Sequence, residues 1–324
     1  MGIPLAGKSL DITLFAFTRA MDIVLQSSST LQSPKSQCTR LISNYATPVL
    51  FAASSATLMH AYFYSPNRLP YTYVKWIDRL SELDERLLHA LREVRYGNFV
   101  YGKDTGMAPL LGSMCKELGL PEVWGDPEQT IPIPCEVVHH GSGPSCEWHA
   151  IMRFWRAWKK ALGVYAPIQA VILVRALYKQ PKNFFPALAQ AIYNASRNSA
   201  FLGAFVSLFY YGVCLGRTRL GPKIISSKTI SPQMWDGGLC ITSGCLLCGW
   251  SVLLEIPRRR VELMLFVVPR ALGVWFPRWY DRVHRWREQL AFAVSAAVIL
   301  TAAQERPDRV RGVFGRVLRS VVAP

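Results

Sequence analysis

The sequence predicts an all-α integral membrane protein: six to seven transmembrane helices, a duplicated helix pair and a Cys/His-containing loop insertion. Three observations carry this. Apolar residues make up 51% of the 324 residues, yet Lys and Arg number 37 against 21 Asp and Glu, a formal +16. Mean hydropathy is still slightly positive, so the apolar residues are concentrated into segments. Finally, an acid, an arginine and a Pro-x-Arg ending recur in two distant helix pairs.

The positive charges stand just outside apolar runs, at Arg217 and Arg219, Arg258 to Arg260, Arg278 to Arg287 and Arg306 to Arg319. That placement suits a bilayer with anionic headgroups, the expected partner. No recognised nucleic-acid motif accompanies the charge, so nucleic acid is not expected. Eight cysteines at mixed spacings in a chain this long do not make a secreted disulfide framework. Asp11, Arg19 and Asp22 interrupt the first apolar run, which therefore does not read as a signal peptide.

Taken in order, residues 1–70 form an N-terminal helix pair, Leu10 to Leu25 and Tyr45 to Tyr64, ended by Pro66 and Pro70. Residues 71–158 hold an amphipathic helix and an insertion. Trp76, Leu80, Leu83, Leu87, Leu91 and Val94 recur at helical spacing from Tyr71 to Arg95, among mixed charges. Such a helix packs on its own domain more readily than on a membrane surface. Tyr96 to His149 is Gly- and Pro-rich, with one short helix near Met107 to Leu118. Residues 159–304 form a C-terminal bundle with apolar segments at Ala161–Leu177, Ser199–Leu215, Gly238–Leu254, Val261–Phe276 and Leu290–Ala303. A basic tail, 305–324, follows.

The repeat aligns Asp11 with Glu262, Phe15 with Phe266, Arg19 with Arg270, Ser54 with Ser295, Pro66 with Pro307 and Arg68 with Arg309. An arginine inside an apolar segment needs a partner or must snorkel to headgroups. Arg19 and Arg270 lie more than two turns beyond Asp11 and Glu262, ~12 Å along a helix, too far to pair within it. Asp11, Arg19, Glu262 and Arg270 are thus the candidate membrane charges. A water-lined path near Arg19 and Arg270 would make the bundle pore- or transporter-like. Ala52/Ala56, Ala293/Ala297 and Gly212/Gly216 are small-xxx-small pairs suited to packing within one bundle, with a homodimer as the lesser option. If seven segments cross, the repeat is inverted; if Ala161–Leu177 lies at the interface, it is parallel.

The most distinctive local chemistry is Pro134-Cys135 through His149. Cys135, His140, Cys146 and His149 are the candidate zinc ligands, although the spacing matches no standard finger. The alternatives are a Cys135–Cys146 disulfide, worth ~3 kcal/mol, and a hydrogen-bonded turn with free thiols. A metal here facing a cleft would make the chain a metal-dependent enzyme. Gly97 to Asp104 nearly spells a P-loop, but Asp104 replaces the Ser or Thr that holds magnesium. Cys240, Cys245 and Cys248 copy an iron–sulfur spacing inside an apolar segment and read as packing cysteines. No Ser-His-Asp set or paired carboxylates in a cleft point to catalysis, so the chain is expected not to be an enzyme and to carry no cofactor besides zinc.

Three pieces together resemble the transmembrane protein 135 family: Pro134-Cys135 with Cys146-x2-His149, then Lys160 through Pro167, then Glu255-x2-Arg258-Arg-Arg-Val-Glu262 with Pro269-Arg270-Ala-Leu272. The helix motifs are similar to peroxisomal membrane protein four and, more distantly, to mitochondrial inner-membrane translocase subunits. The resemblance spans Tyr71 to Arg311 plus the N-terminal echo, which holds only the last two helices of a four-helix module. It implies a multi-span protein of the peroxisomal membrane, or secondly the mitochondrial one. The implied role is non-enzymatic, in organelle dynamics or lipid homeostasis, with other membrane proteins as partners.

Overall fold

A computed structural model describes residues 6–27, 37–179, 184–225, 229–276, 285–312, 314–315 and 317–318. The described residues are helical, without strands. They divide into two compact units, one of residues 62–64 and 71–255, the other of residues 1–61, 65–70 and 256–324. The insertion therefore belongs with the apolar helices that follow it. The N-terminal helix belongs with the last two.

In the first unit, the amphipathic stretch is two helices rather than one: α3 (Tyr71–Ser81) and α4 (Glu85–Tyr96). The break has a local cause. Asp84 caps α4 by accepting from the Arg86 amide, and Glu82 takes a positive φ of 49°. Leu87, Leu91 and Val94 are buried while Trp76 is 44% exposed, so the apolar stripe is a packing face mainly in α4. A short helix, α5 (Ala108–Glu117), matches the expected one. A single turn, α6 (Cys135–Val138), follows.

Next comes α7 (Cys146–Lys179), which runs through Pro167, and α8 (Phe184–Cys214). These two are antiparallel. Ser207 donates to the Ala150 carbonyl (2.8 Å) and Trp158 Nε1 to the Ser196 carbonyl (3.2 Å). The last helix of the unit is α9 (Cys240–Cys248). A π-turn, Leu215–Leu220, continues α8, and another, Trp235–Leu239, leads into α9.

Gly212 and Gly216 do pack within the bundle. A Cβ on Gly212 would sit 2.8 Å from the Gly244 Cα, and one on Gly216 would meet the Ser243 side chain at 2.4 Å. Backbone-to-backbone approach of α8 and α9 thus depends on these small residues.

Against the six to seven expected crossings, three helices are long and apolar enough among the described residues: Cys146–Tyr178, Phe184–Arg219 and Pro232–Leu254. The others are more polar. Asp11, Arg19 and Asp22 interrupt the N-terminal helix, and Arg258 to Arg260, Glu262 and Arg270 the one near the C-terminus.

The second unit contains α1 (Ala6–Ser27), most of α2 (Gln37–Tyr64), α10 (Pro257–Trp275) and α11 (Arg285–Glu305). Ala16, Ala20 and Ile23 of α1 meet Ile299 and Ala303 of α11 and Val310, with Phe314 and Leu318 alongside. The described part of the basic tail is thus packed rather than free; Arg311 also reaches Asp22 at 3.6 Å. Helices α1 and α10 run antiparallel. Gly273 lies against Asp11 and Leu14, whereas Arg19 stands within electrostatic reach of Glu262. Ala293 and Ala297 lie on the exposed side of α11, whose buried positions are Ser295, Ile299 and Ala303. The expected Ala293/Ala297 packing face is corrected accordingly. Of the expected Arg278–Arg287 cluster, residues 277–284 lie outside the described residues, as do residues 28–36 of the N-terminal polar loop.

Candidate functional site

The insertion sits on one end of the α7–α8–α9 group, and the chemistry of the unit gathers there. Pro134 precedes α6 and places Cys135 at its first position and His139 at its C-terminal cap. One helical turn apart, the two side chains share a side. Glycines with positive φ at Gly141 and Gly143 then reverse the chain into α7, whose first residue is Cys146. The ligand atoms of Cys135, His139 and Cys146 all lie within 4.8 Å of one another.

From α8, Cys214 joins them. Its sulfur is 3.3 Å from His139 Nε2 and within hydrogen-bonding reach of the Cys146 thiol. Thr218 Oγ1 stands 4.0 Å from the Cys146 sulfur. The three cysteines, Cys135, Cys146 and Cys214, are free thiols, so the Cys135–Cys146 bridge is not formed.

Hydrogen bonding fixes the histidine tautomers. His139 Nδ1 faces the Gly143 carbonyl at 2.8 Å, which can only accept. Nδ1 therefore carries the proton, and the Nε2 lone pair faces Cys214. The Ser142 hydroxyl donates to the His139 carbonyl (2.6 Å), so His149 Nδ1 must donate to Ser142 Oγ (2.6 Å). His149 Nε2 is then bare and buried, without a hydrogen-bond partner. The two imidazoles stack 4.4 Å apart.

Burial pushes the Cys135 thiol up and the His139 imidazole down, so both neutral forms are favoured there. The Arg217 guanidinium opposes this at Cys135 by favouring thiolate.

The structure changes the membership expected for this site. Cys135 and Cys146 converge as expected. His140 is not among the converging donors: it has φ 52°, and its charged neighbours are Arg153, Asp84, Arg156 and Arg86. His149 forms a wall through stacking and the Ser142 bond. His139 and Cys214 take their places. Cys135 and His139 at i, i+4 were the available signal for the first. No local spacing points to Cys214, which a long-range helix packing delivers.

Beside this cluster lies a buried charge network. Arg217 donates to Asp236 (3.0 Å) and to the Ile133 carbonyl, and the Tyr101 hydroxyl also donates to Asp236. Gln233 donates to the Phe99 carbonyl (2.8 Å) and accepts from the Tyr101 amide (3.0 Å). Arg217 was expected to face headgroups; it is buried with Asp236 instead. The π-turns that carry both residues explain the inward placement, since the wider turn displaces side chains from the regular helical faces.

A second seam holds the α3–α4 break against α7. Arg153 donates to the Ser81 (2.9 Å) and Glu82 (3.1 Å) carbonyls, and Lys160 pairs with Glu82 at 2.6 Å.

The other motifs resolve as structure. Gly97 is the left-handed cap of α4, φ 81°, so the near P-loop is a helix ending. Cys240, Cys245 and Cys248 are buried, and Cys248 donates to the Cys245 carbonyl at 3.3 Å. Arg19 donates to the Arg311 carbonyl (3.2 Å) and lies over the Phe15 and Phe314 rings. Arg270 turns back on its own helix, donating to the Phe266 carbonyl (2.6 Å), 3.6 Å over that ring.

No protein-family model, curated protein or solved structure matches the chain.

Proposed function

We infer that the chain is a non-enzymatic, multi-span organellar membrane protein, in which the apolar helices are a rigid mount and the folded insertion is the working surface. The observation that carries this reading is the seating of the insertion: Tyr101, Arg217, Asp236 and the Ile133 carbonyl form one buried network. A buried seam of this kind supports a fixed platform better than a permeation path. Arg19 and Arg270, engaged by carbonyls and aromatic rings, support the same preference over a water-lined bundle.

Membrane residence is supported by α7. Only 6% of its apolar window is buried, leaving Val164, Ile168, Val171 and Val174 facing outward. Trp155 and Trp158 stack at 5.0 Å where Lys159 and Lys160 give way to the apolar run, an arrangement suited to a membrane–water boundary. In this reading α1–α2 and α10–α11 are two copies of one helix pair in opposite orientation. The antiparallel α1 and α10, with Arg19 of one near Glu262 of the other, support it. The resemblance to the transmembrane protein 135 family supplies the role: organelle dynamics or lipid homeostasis, in peroxisomes first and mitochondria second.

Epitope-tagged protein is expected to co-fractionate with peroxisomes and to stay in the pellet after alkaline carbonate extraction. Release into the carbonate supernatant would overturn the integral-membrane reading. Co-fractionation with mitochondria would move the assignment to the second organelle.

A further inference from the structure

We propose that Cys135, His139, Cys146 and Cys214 bind one zinc ion, a closed structural centre that fastens the insertion to α7 and α8. Four protein donors in a tetrahedral zinc site stand ~2.0–2.3 Å from the ion, hence ~3.5–3.8 Å from one another. Cys135, His139 and Cys146 already converge within 4.8 Å, and Cys214 Sγ lies 3.3 Å from His139 Nε2. Cys135, His139 and Cys146 need to draw together by up to about 1 Å to reach tetrahedral spacing.

The donor chemistry fits. Three thiolates and an imidazole suit zinc over the hard, oxygen-seeking cations. His139 holds its Nδ1 proton on the Gly143 carbonyl and offers the Nε2 lone pair to the sulfurs, the outer hydrogen bond that metal-ligating histidines use. Binding displaces one proton from each thiol to solvent and leaves the neutral imidazole unchanged. The three thiolates and Zn²⁺ then carry a net single negative charge. Arg217, which donates to the Ile133 carbonyl two residues before Cys135, is the nearby positive charge. A fully protein-ligated ion has no open position, so the assignment is structural and not catalytic.

The topology gives the centre a task. Its ligands come from the insertion (α6), the start of α7 and the end of α8, all at one end of the unit. Zinc there closes the insertion over the Arg217–Asp236 network. This assignment is independent of where the protein resides.

The test uses the full chain, purified in detergent under reducing conditions without chelator. Elemental analysis is expected to return about one zinc per chain. Cobalt loaded in its place should give thiolate-to-metal charge-transfer absorption. Cys214→Ser should lower that absorption by about a third, as three thiolates become two. His139→Ala should lose tight binding, while His140→Ala and Cys245→Ser should retain wild-type stoichiometry. Because Cys214→Ser could unfold the chain, wild-type cobalt spectra alone remain decisive. Zinc below about a tenth per chain with no cobalt–thiolate bands, or a Cys135–Cys146 disulfide found by mass spectrometry, would overturn the centre. Wild-type loading and spectra in Cys214→Ser, or loss on His140→Ala, would overturn the ligand set.

Discussion

Two arginines, Arg217 buried and Arg19 half-buried, face the same problem in different ways. Arg217, in the unit of apolar helices, has a carboxylate 3.0 Å away on a facing π-turn. Arg19, in the unit of α1, α10 and α11, is held by the Arg311 carbonyl and by two phenylalanine faces, with Glu262 at longer range. The difference follows where each unit keeps its polarity. Helices α7 to α9 collect it at one end and leave long apolar stretches. Helices α1 and α10 spread it along their length and fall short of the apolarity of a span. A concentrated charge network can position an insertion; dispersed charges hold neighbouring helices in register.

The largest expected effect breaks the first arrangement. Asp236→Ala leaves Arg217 buried without its carboxylate, at a cost of about 3–5 kcal/mol. Thermal unfolding in detergent should show the loss, and limited proteolysis should cut the insertion first. Wild-type stability in that variant would remove the network from the account. Next, Gly244→Val pushes a side chain to within 2.7 Å of the Phe209 carbonyl. Overpacking of this kind costs about 1–3 kcal/mol, read as a lowered midpoint.

Arg19→Leu should cost about 1–2 kcal/mol through a lost hydrogen bond and ring contacts, and Arg270→Leu less than about 1 kcal/mol. Equal effects would contradict the distinction drawn between a packed arginine and one folded on its own helix.

The smallest effect concerns pH. Burial raises the Glu82 carboxyl, but the Lys160 hydrogen bond and charge outweigh it and hold the folded-state value below 4.5. A depressed carboxylate contributes stability above its unfolded value and loses it as pH falls through the folded one. Docking of the α3–α4 break on α7 should therefore weaken below about pH 4.5, and Glu82→Gln should flatten that dependence. Hydrogen exchange of the 81–84 amides reads both.

Much of this was legible in the sequence, and the failures have physical reasons. Period-3.6 patterning and apolar density identified the helical class, and Gly212/Gly216 marked a close helix approach. The amphipathic stretch looked continuous because Asp84 is acceptable inside a polar helix face; only its capping of the Arg86 amide makes it a helix start. Arg217 resembled a headgroup-facing flank because its partner, Asp236, lies across a chain reversal. His140 was named in place of His139, whose i, i+4 spacing from Cys135 puts the two side chains on one side only once α6 forms. Cys214 is a packing residue by local context. Ala293/Ala297 failed because a small-residue pair says that helices can approach, not that a neighbour lies on that side.

The central claim is that α7 and α8 form a membrane-crossing hairpin with the insertion mounted at its open end. Single cysteines introduced for Lys103, in the insertion, and Tyr178, at the far end of α7, test it against an impermeant maleimide in intact and permeabilised organelles, on a background lacking other reactive thiols. Labelling of the two positions from opposite sides is the predicted result. Labelling of both from the same side would contradict it.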